Sequence, residues 1–307
     1  MRRDTRAGSQ TLRDGSLEAF EYLAPSSLAE AFAALGNGKR SLMLAGGTDV
    51  IVQLRENRRH CDQLIDLKHI PELMSVDIRP DGGLDIGAAV PLADLYNNRE
   101  IARRWPGLVD SASIIGGTAI QSRASFGGNL CNASPAADSS PSLMVHDARL
   151  VVASAGGTRE VPVEAFFAGP GRSVLQPGEI LLRISIPPQP ARSAVFYHRF
   201  IPRNEMDIAV ASAGVRLALD DSGERIASAR VALGAVGPTP MMVAAAAEAV
   251  TGQAPTPETF AKAGEAAAAA AQPITDMRGS MAQRKHLASV LTVRAFERAL
   301  QRIREAR

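Results

Sequence analysis

Cysteine is nearly absent from this chain, with Cys61 and Cys131 the only two in 307 residues. Two thiols cannot build a disulfide framework, a four-cysteine zinc site or an iron–sulfur cluster, so any cluster this protein works with must sit on another chain. Aromatic residues make up only 4%, with one Trp and three Tyr. That scarcity argues against the stacking platforms of nucleic-acid binders and leaves the cores to Ala, Leu, Val and Ile. No apolar run approaches the roughly 18 residues of a membrane span, and no hydrophobic signal core follows Met1-Arg2-Arg3-Asp4. The expectation is a cytoplasmic protein. His60, His69, His146, His198 and His286 are scattered without paired ligand spacing, so no metal site is expected. The G-x-G-x-x-G and G-x-x-x-x-G-K-[ST] nucleotide loops and the G-x-S-x-G elbow of serine hydrolases do not occur. A formal net charge of +2 neither requires nor excludes a charged partner.

What the chain does have is two glycine pairs. Ala45-Gly46-Gly47-Thr48-Asp49 follows the apolar run Leu42-Met43-Leu44, and Ser125-Phe126-Gly127-Gly128-Asn129 comes about eighty residues later. Glycine carries no Cβ and tolerates positive φ, so consecutive backbone N–H groups can converge on an anion. Each pair precedes a helix start, and together they read as two halves of a phosphate cradle, although one such pair alone is also an ordinary tight turn.

The surrounding periodicity gives an α+β organisation. Ser27 and Glu30 form a capping-box pattern ahead of a helix through Leu35 that Gly36 ends. A strand over Ser41 to Leu44, a short helix from Asp49 through Leu54 and a strand over Gln63 to Leu67 follow. Hairpins are expected around Pro80-Asp81-Gly82-Gly83 and around Gly156-Gly157. Helical signals lie at Leu92 to Leu95 and Leu108 to Ile115, and a helix through Leu143 to His146 has Asp138 or Ser140 as its cap. A strand from Glu179 to Ile186 leads into the linker Pro187-Pro188-Gln189-Pro190. Three strands follow (Ala194 to Phe200, Ala209 to Leu219, Arg225 to Val236), then helical segments near Pro240 to Val250, Pro257 to Ala271 and Met281 to Arg304.

The two glycine segments, with Asn132, Ser134, Pro135-Ala136-Ala137-Asp138, Pro141, Tyr197-His198-Arg199-Phe200, Met206-Asp207-Ile208-Ala209 and the tail Asp276-x-Arg278-Gly279-Ser280, resemble the FAD-binding subunit of molybdenum hydroxylases. That family includes the medium subunit of carbon monoxide dehydrogenase and the flavin subunit of xanthine dehydrogenase. The resemblance runs from about Glu18 to Arg304. It implies a two-part FAD-binding domain of the vanillyl-alcohol-oxidase (PCMH) type over residues 15–188, with subdomains of about 15–70 and 71–188. A C-terminal α+β domain over 193–305, with a three-stranded antiparallel sheet and helices, would follow.

For the site, the resemblance implies that Leu42, Met43, Leu44, Ala45, Gly46, Gly47, Thr48 and Asp49, with Ser125, Phe126, Gly127, Gly128 and Asn129, wrap the FAD pyrophosphate. Asp138 falls where the family uses a carboxylate near the flavin, or it caps a helix. Leu181 is an apolar cofactor contact or a strand-core residue. Tyr197 and Arg199 match the family's Tyr-x-Lys pair, an aromatic and a cation that would tune the ring; a core aromatic and an ion-pair partner are the plain alternatives. Arg in place of Lys changes the donor geometry.

The activity implied is that of an oxidoreductase subunit. An iron–sulfur small subunit and a molybdenum-cofactor large subunit would supply electrons, and an acceptor such as NAD, quinone or oxygen would take them. No nucleic acid is expected as a partner. Two rival readings stand beside this one. The first is a self-sufficient FAD oxidase, with Cys131 as the only nearby residue for covalent flavin; the second is a nucleotide-binding module without redox turnover.

Overall fold

A computed structural model describes residues 17–203 and 206–306. The expectation for Met1 to Asp4 lies outside the described residues, as do residues 15 and 16 of the expected first domain. Strands β1 (Glu21–Leu23), β2 (Ser41–Leu44) and β3 (Gln63–Asp66) form a parallel sheet in the order β1-β3-β2. Helix Leu28–Leu35 connects the first two, and Ser27 Oγ accepts from the Glu30 amide at 3.3 Å. The capping box is completed one residue early, because the Glu30 carboxylate accepts from the Ser26 amide and not from that of Ser27. All four β3 residues are buried, and the Gln63 side chain is satisfied by donating to Ala34 O and Ser41 Oγ.

Strands β4 (Val76–Ile78), β5 (Leu84–Gly87), β6 (Arg149–Ser154) and β7 (Gly157–Pro162) precede a small pair, β8 (Phe167–Gly169) and β9 (Arg172–Ser173), and then β10 (Ile180–Ile186). The second sheet is antiparallel in the order β4-β5-β10-β6-β7. Both expected hairpins are present. The long β5–β6 connection carries six short helices, the last two being Phe126–Asn132 and Ser139–Val145. Their apolar faces build one core with the sheet, around Trp105, Leu108, Phe126, Leu143 and Phe166.

The C-terminal sheet runs β11 (Ser193–Phe200), β12 (Ala211–Leu219), β13 (Ile226–Gly234), β14 (Met241–Met242), all antiparallel neighbours. It therefore has four strands where three were expected. Met241 and Met242 pair with Leu233 and Ala232, so the helix expected from Pro240 starts only at Ala244. Two residues carry no strand period, and a neighbouring alanine run makes them read as helix. Every residue of β12 is buried. Helix Ser139–Val145 lies on one face, where Gly214 sits so close that a Cβ would be 2.7 Å from Pro141 O. Helix Met281–Glu305 packs against β11 and β12, with Leu291, Phe296 and Ile303 joining a second core under β12 and β13. Among the described residues no helix is long and apolar enough to cross a membrane.

Candidate cofactor-binding site

The period of β2 divides its residues between two environments. Leu42 and Leu44 pack with Leu54, Cys61 and Leu64 and do not line the cleft described next. Met43 and Ala45 face a cleft between the first two sheets, and the glycine turn continues along it. At Gly46 the chain runs directly against Arg123 and Ala124, just ahead of the second glycine segment: a Cβ there would sit 1.8 Å from Arg123 O. Gly47 has φ +79°, the left-handed region open to glycine. The amides of Gly46, Gly47, Thr48 and Asp49, beside the cleft, donate to no described residue.

The second segment opens helix Phe126–Asn132. Ser125 caps it by accepting from the Gly128 amide at 3.0 Å, and Gly127 packs on Ala88, whose carbonyl oxygen would lie 2.3 Å from any Cβ. Gly128 differs, since a Cβ there would meet only Ser125 Oγ at 3.2 Å. Ser125, Gly127, Gly128 and Asn129 line the cleft, whereas Phe126 is turned into the core.

Between the two segments the cleft holds about 900 Å³, counting the part open to solvent. Its remaining floor is apolar, with Leu67, Leu73, Ile115, Ile180 and Leu181. Leu181 belongs both to the cleft wall and to the strand core, at a β-bulge in β10. Among the described residues Asp49 and Arg59 are the charged ones lining it, and burial pushes the Asp49 carboxyl above its usual range. Burial also pushes the Cys131 thiol up to about 12, which keeps it protonated and a poor nucleophile.

Two polar contacts, one in the cleft and one behind its wall, have no signature in the sequence. Gln53 Nε2 donates to Asn132 Oδ1 at 2.9 Å, tying the helix after the first glycine pair to the helix of the second. Lys68 Nζ donates to Ala45 O at 2.8 Å and to Asp66 Oδ1 at 2.6 Å, and Tyr22 OH donates to Asp66 Oδ2 at 2.6 Å. The carbonyl just ahead of Gly46 is thereby held from behind by a charge-assisted bond.

Asp138, Tyr197 and Arg199 do not line the cleft. They form one buried cluster between helix Ser139–Val145 and β11, with Tyr197 OH donating to Asp138 Oδ1 and Arg199 Nη1 to Asp138 Oδ2, both at 2.6 Å. The carboxylate makes no capping bond, because its oxygens are taken by these two donors. Burial pushes it up to about 6 against the Arg199 charge and both hydrogen bonds, and drives the Tyr197 phenol well above its usual value. The cluster backs onto the cleft at two points. Arg199 Nη2 donates to Ile114 O at 2.8 Å, next to the lining residue Ile115, and Asn129 accepts from Ser139, next to Asp138.

Backbone amides at one end, side-chain-free glycine surfaces between them and an apolar floor beyond suit a nucleotide cofactor with a charged diphosphate and a flat ring. The geometry thus defines a dinucleotide-cofactor protein that does not use a Rossmann loop. Residues 18–189 match the family described as the FAD binding domain in molybdopterin dehydrogenase, and residues 196–299 match the CO dehydrogenase flavoprotein C-terminal domain. The chain belongs to that family and is an FAD-binding oxidoreductase subunit. It is 30% identical to the xanthine dehydrogenase FAD-binding subunit of Escherichia coli O157:H7, over 91% of this chain and 95% of that one. Carbon monoxide dehydrogenase from Hydrogenophaga pseudoflava superposes with a TM-score of 0.88 at 30% identity, over 94% of this chain and 99% of that chain. Xanthine dehydrogenase 1 of Arabidopsis thaliana is 29% identical over 64% of this chain, a region that makes up 15% of that protein.

Proposed function

We propose that this chain is the electron-transfer subunit of a molybdenum hydroxylase, standing between an iron–sulfur subunit that delivers electrons and an external acceptor such as NAD, quinone or oxygen. The observation that carries the proposal is the pair of glycine segments lining one cleft, beside which four amides of the first donate to no described residue. In this reading residues 15–188 are a PCMH-type FAD-binding domain and residues 193–305 a CO dehydrogenase-type C-terminal domain, and the complex works in the cytoplasm.

The amides of Gly46, Gly47, Thr48 and Asp49 would hold the diphosphate, with Gly127 and Gly128 giving it room on the opposite side. Met43, Ala45, Ile115 and Leu181 would exclude water from the ring. Asp138, Tyr197 and Arg199 would act behind the site, steadying its wall through Ile114 and Asn129. Leu42, Leu44 and Phe126 would serve by holding the two segments in place from their apolar sides. Bound FAD supplies the ability to exchange electrons singly or in pairs; the protein supplies orientation and electrostatics. The protonated Cys131 thiol gives no support to a covalently flavinylated oxidase.

The test is the purified chain itself. Absorbance of protein-bound flavin that bleaches with dithionite supports the reading, and a protein that stays colourless with added FAD contradicts it.

A further inference from the structure

We propose that Asp110 is a positioning residue of the cofactor site, an inference that rests on the cofactor reading above: clamped by Arg302 of the last helix, Asp110 fixes the outer edge of β11 so that Tyr197 and Arg199 brace the cleft wall. β11 stands at the end of the order β11-β12-β13-β14, so its outer edge has no strand beside it. An open edge normally turns its amides and carbonyls to water. Here helix Pro106–Ala112 covers it. Gly107 packs so closely that a Cβ would lie 2.4 Å from Val195 Cγ1, and Asp110, on the same helix face one turn later, accepts from the Tyr197 amide at 3.1 Å.

Arg302 completes the clamp from helix Met281–Glu305. Its Nη1 donates to Asp110 Oδ2 at 2.7 Å and its Nη2 to Asp110 Oδ1 at 2.6 Å, the two-pronged fit of a guanidinium on a carboxylate. Nη1 also donates to Val195 O at 2.6 Å, and the guanidinium carbon lies 4.6 Å from the centre of the Phe196 ring. One acid and one base thus supply the acceptor for Tyr197 and the donor for Val195 that a neighbouring strand would otherwise have supplied.

The clamp sits at the rung that serves the site. Tyr197 OH and Arg199 Nη1 hold Asp138, Arg199 Nη2 holds Ile114 O, and the next residue, Ile115, lines the cleft. Ile114 lies just past the end of the helix that carries Asp110, so Asp110 and Arg199 tie β11 to one segment at two closely spaced points. The seat of β11 along that segment therefore sets where Ile115 stands in the wall. A second acid joins the same regions without this consequence. Asp147 pairs with Arg216 Nη1 at 2.6 Å and with Arg230 Nη1 at 2.7 Å, and among the described residues none of the three bonds a residue that lines the cleft.

The change Asp110→Asn keeps the side-chain shape but turns an amide NH2 towards Arg302 or the Tyr197 amide, donor against donor. The experiment compares the full chain as wild type, Asp110→Asn and Asp147→Asn, each stripped of flavin and titrated with FAD, with thermal melts recorded in parallel. Asp110→Asn is expected to bind FAD about tenfold more weakly, a loss of about 1.4 kcal/mol. At saturating FAD it is also expected to alter the visible circular dichroism of the bound flavin, which reports the wall around the ring. Asp147→Asn is expected to lose stability while keeping the wild-type affinity and spectrum. Wild-type affinity and spectrum in Asp110→Asn overturn the assignment, and so does equal weakening in both variants, which would reduce the effect to the packing of the two regions. If Asp110→Asn does not fold, Arg302→Lys, which keeps the charge but not the fork, decides by the same two readouts. No FAD uptake by wild type overturns the cofactor reading and this inference with it, whereas the preceding outcomes overturn this inference alone.

Discussion

Gly46 and Arg123 touch through their backbones: a Cβ on Gly46 would sit 1.8 Å from the Arg123 carbonyl oxygen, closer than any real contact allows. The first glycine segment is thus packed against the backbone just ahead of the second, and a methyl group wedges the two apart. Gly46→Ala is expected to cost about 1 to 3 kcal/mol and to abolish flavin retention, because the amides move away from their shared target. Gly128→Ala makes the contrast. Its Cβ meets only Ser125 Oγ, so the variant should keep wild-type stability and lose flavin through intrusion on the cofactor alone. Thermal melts with and without FAD separate the two effects. Equal flavin retention in both variants would show that the cradle lies elsewhere.

Gln53 and Asn132 join the two halves across the same cleft. A double-mutant cycle with Gln53→Ala and Asn132→Ala should give a coupling of about 0.5 to 1.5 kcal/mol in the stability of the flavin-free chain. Each single variant should also release flavin faster than wild type. Strict additivity would mean that the bond does not form in solution.

Two buried groups titrate in one pH window with opposite sign. Burial holds His146 neutral, its pKa pushed down from 6.5 to about 4 although its ring bonds Ser142 O. The unfolded chain then binds the extra proton, so this group lowers stability as pH falls from 6.5 towards 4. Asp138 is raised from 3.8 to about 6, so the folded chain binds the extra proton and stability falls as pH rises from 4 to 6. Each effect is on the order of 3 kcal/mol and they oppose each other. Urea melts of the His146→Gln variant should therefore show stability falling with rising pH relative to wild type, and Asp138→Asn the reverse. Parallel profiles for all three proteins would contradict both assignments.

Much of this architecture is legible in the residues themselves. The strand Ser41–Leu44, the glycine turn after it and the hairpins at Gly82-Gly83 and Gly156-Gly157 follow local chemistry, where turn glycines and period-two patterns decide the outcome. The second glycine segment is legible as a helix start but not residue by residue. That Gly127 is locked against Ala88 while Gly128 stands open depends on a contact nearly forty positions away in sequence. Alternation along β2 does separate Met43 from Leu42 and Leu44, and a stricter reading of period two would have assigned only the first to the cleft. The Gln53–Asn132 and Lys68–Ala45 bonds leave no trace, because an amide or an ammonium at one position does not announce its partner. Asp138 is the instructive case. Its position before a proline-bearing helix suggests a cap, yet buried Tyr197 and Arg199 claim both oxygens, and a buried carboxylate takes its strongest available donors.

The claim on which the rest depends is that this cleft holds FAD. Stripped of cofactor and titrated with FAD, the wild-type chain should take up one equivalent, with the flavin fluorescence quenched, while Gly46→Ala titrated in parallel takes up none. Equal uptake by both proteins, or none by wild type, would contradict the account.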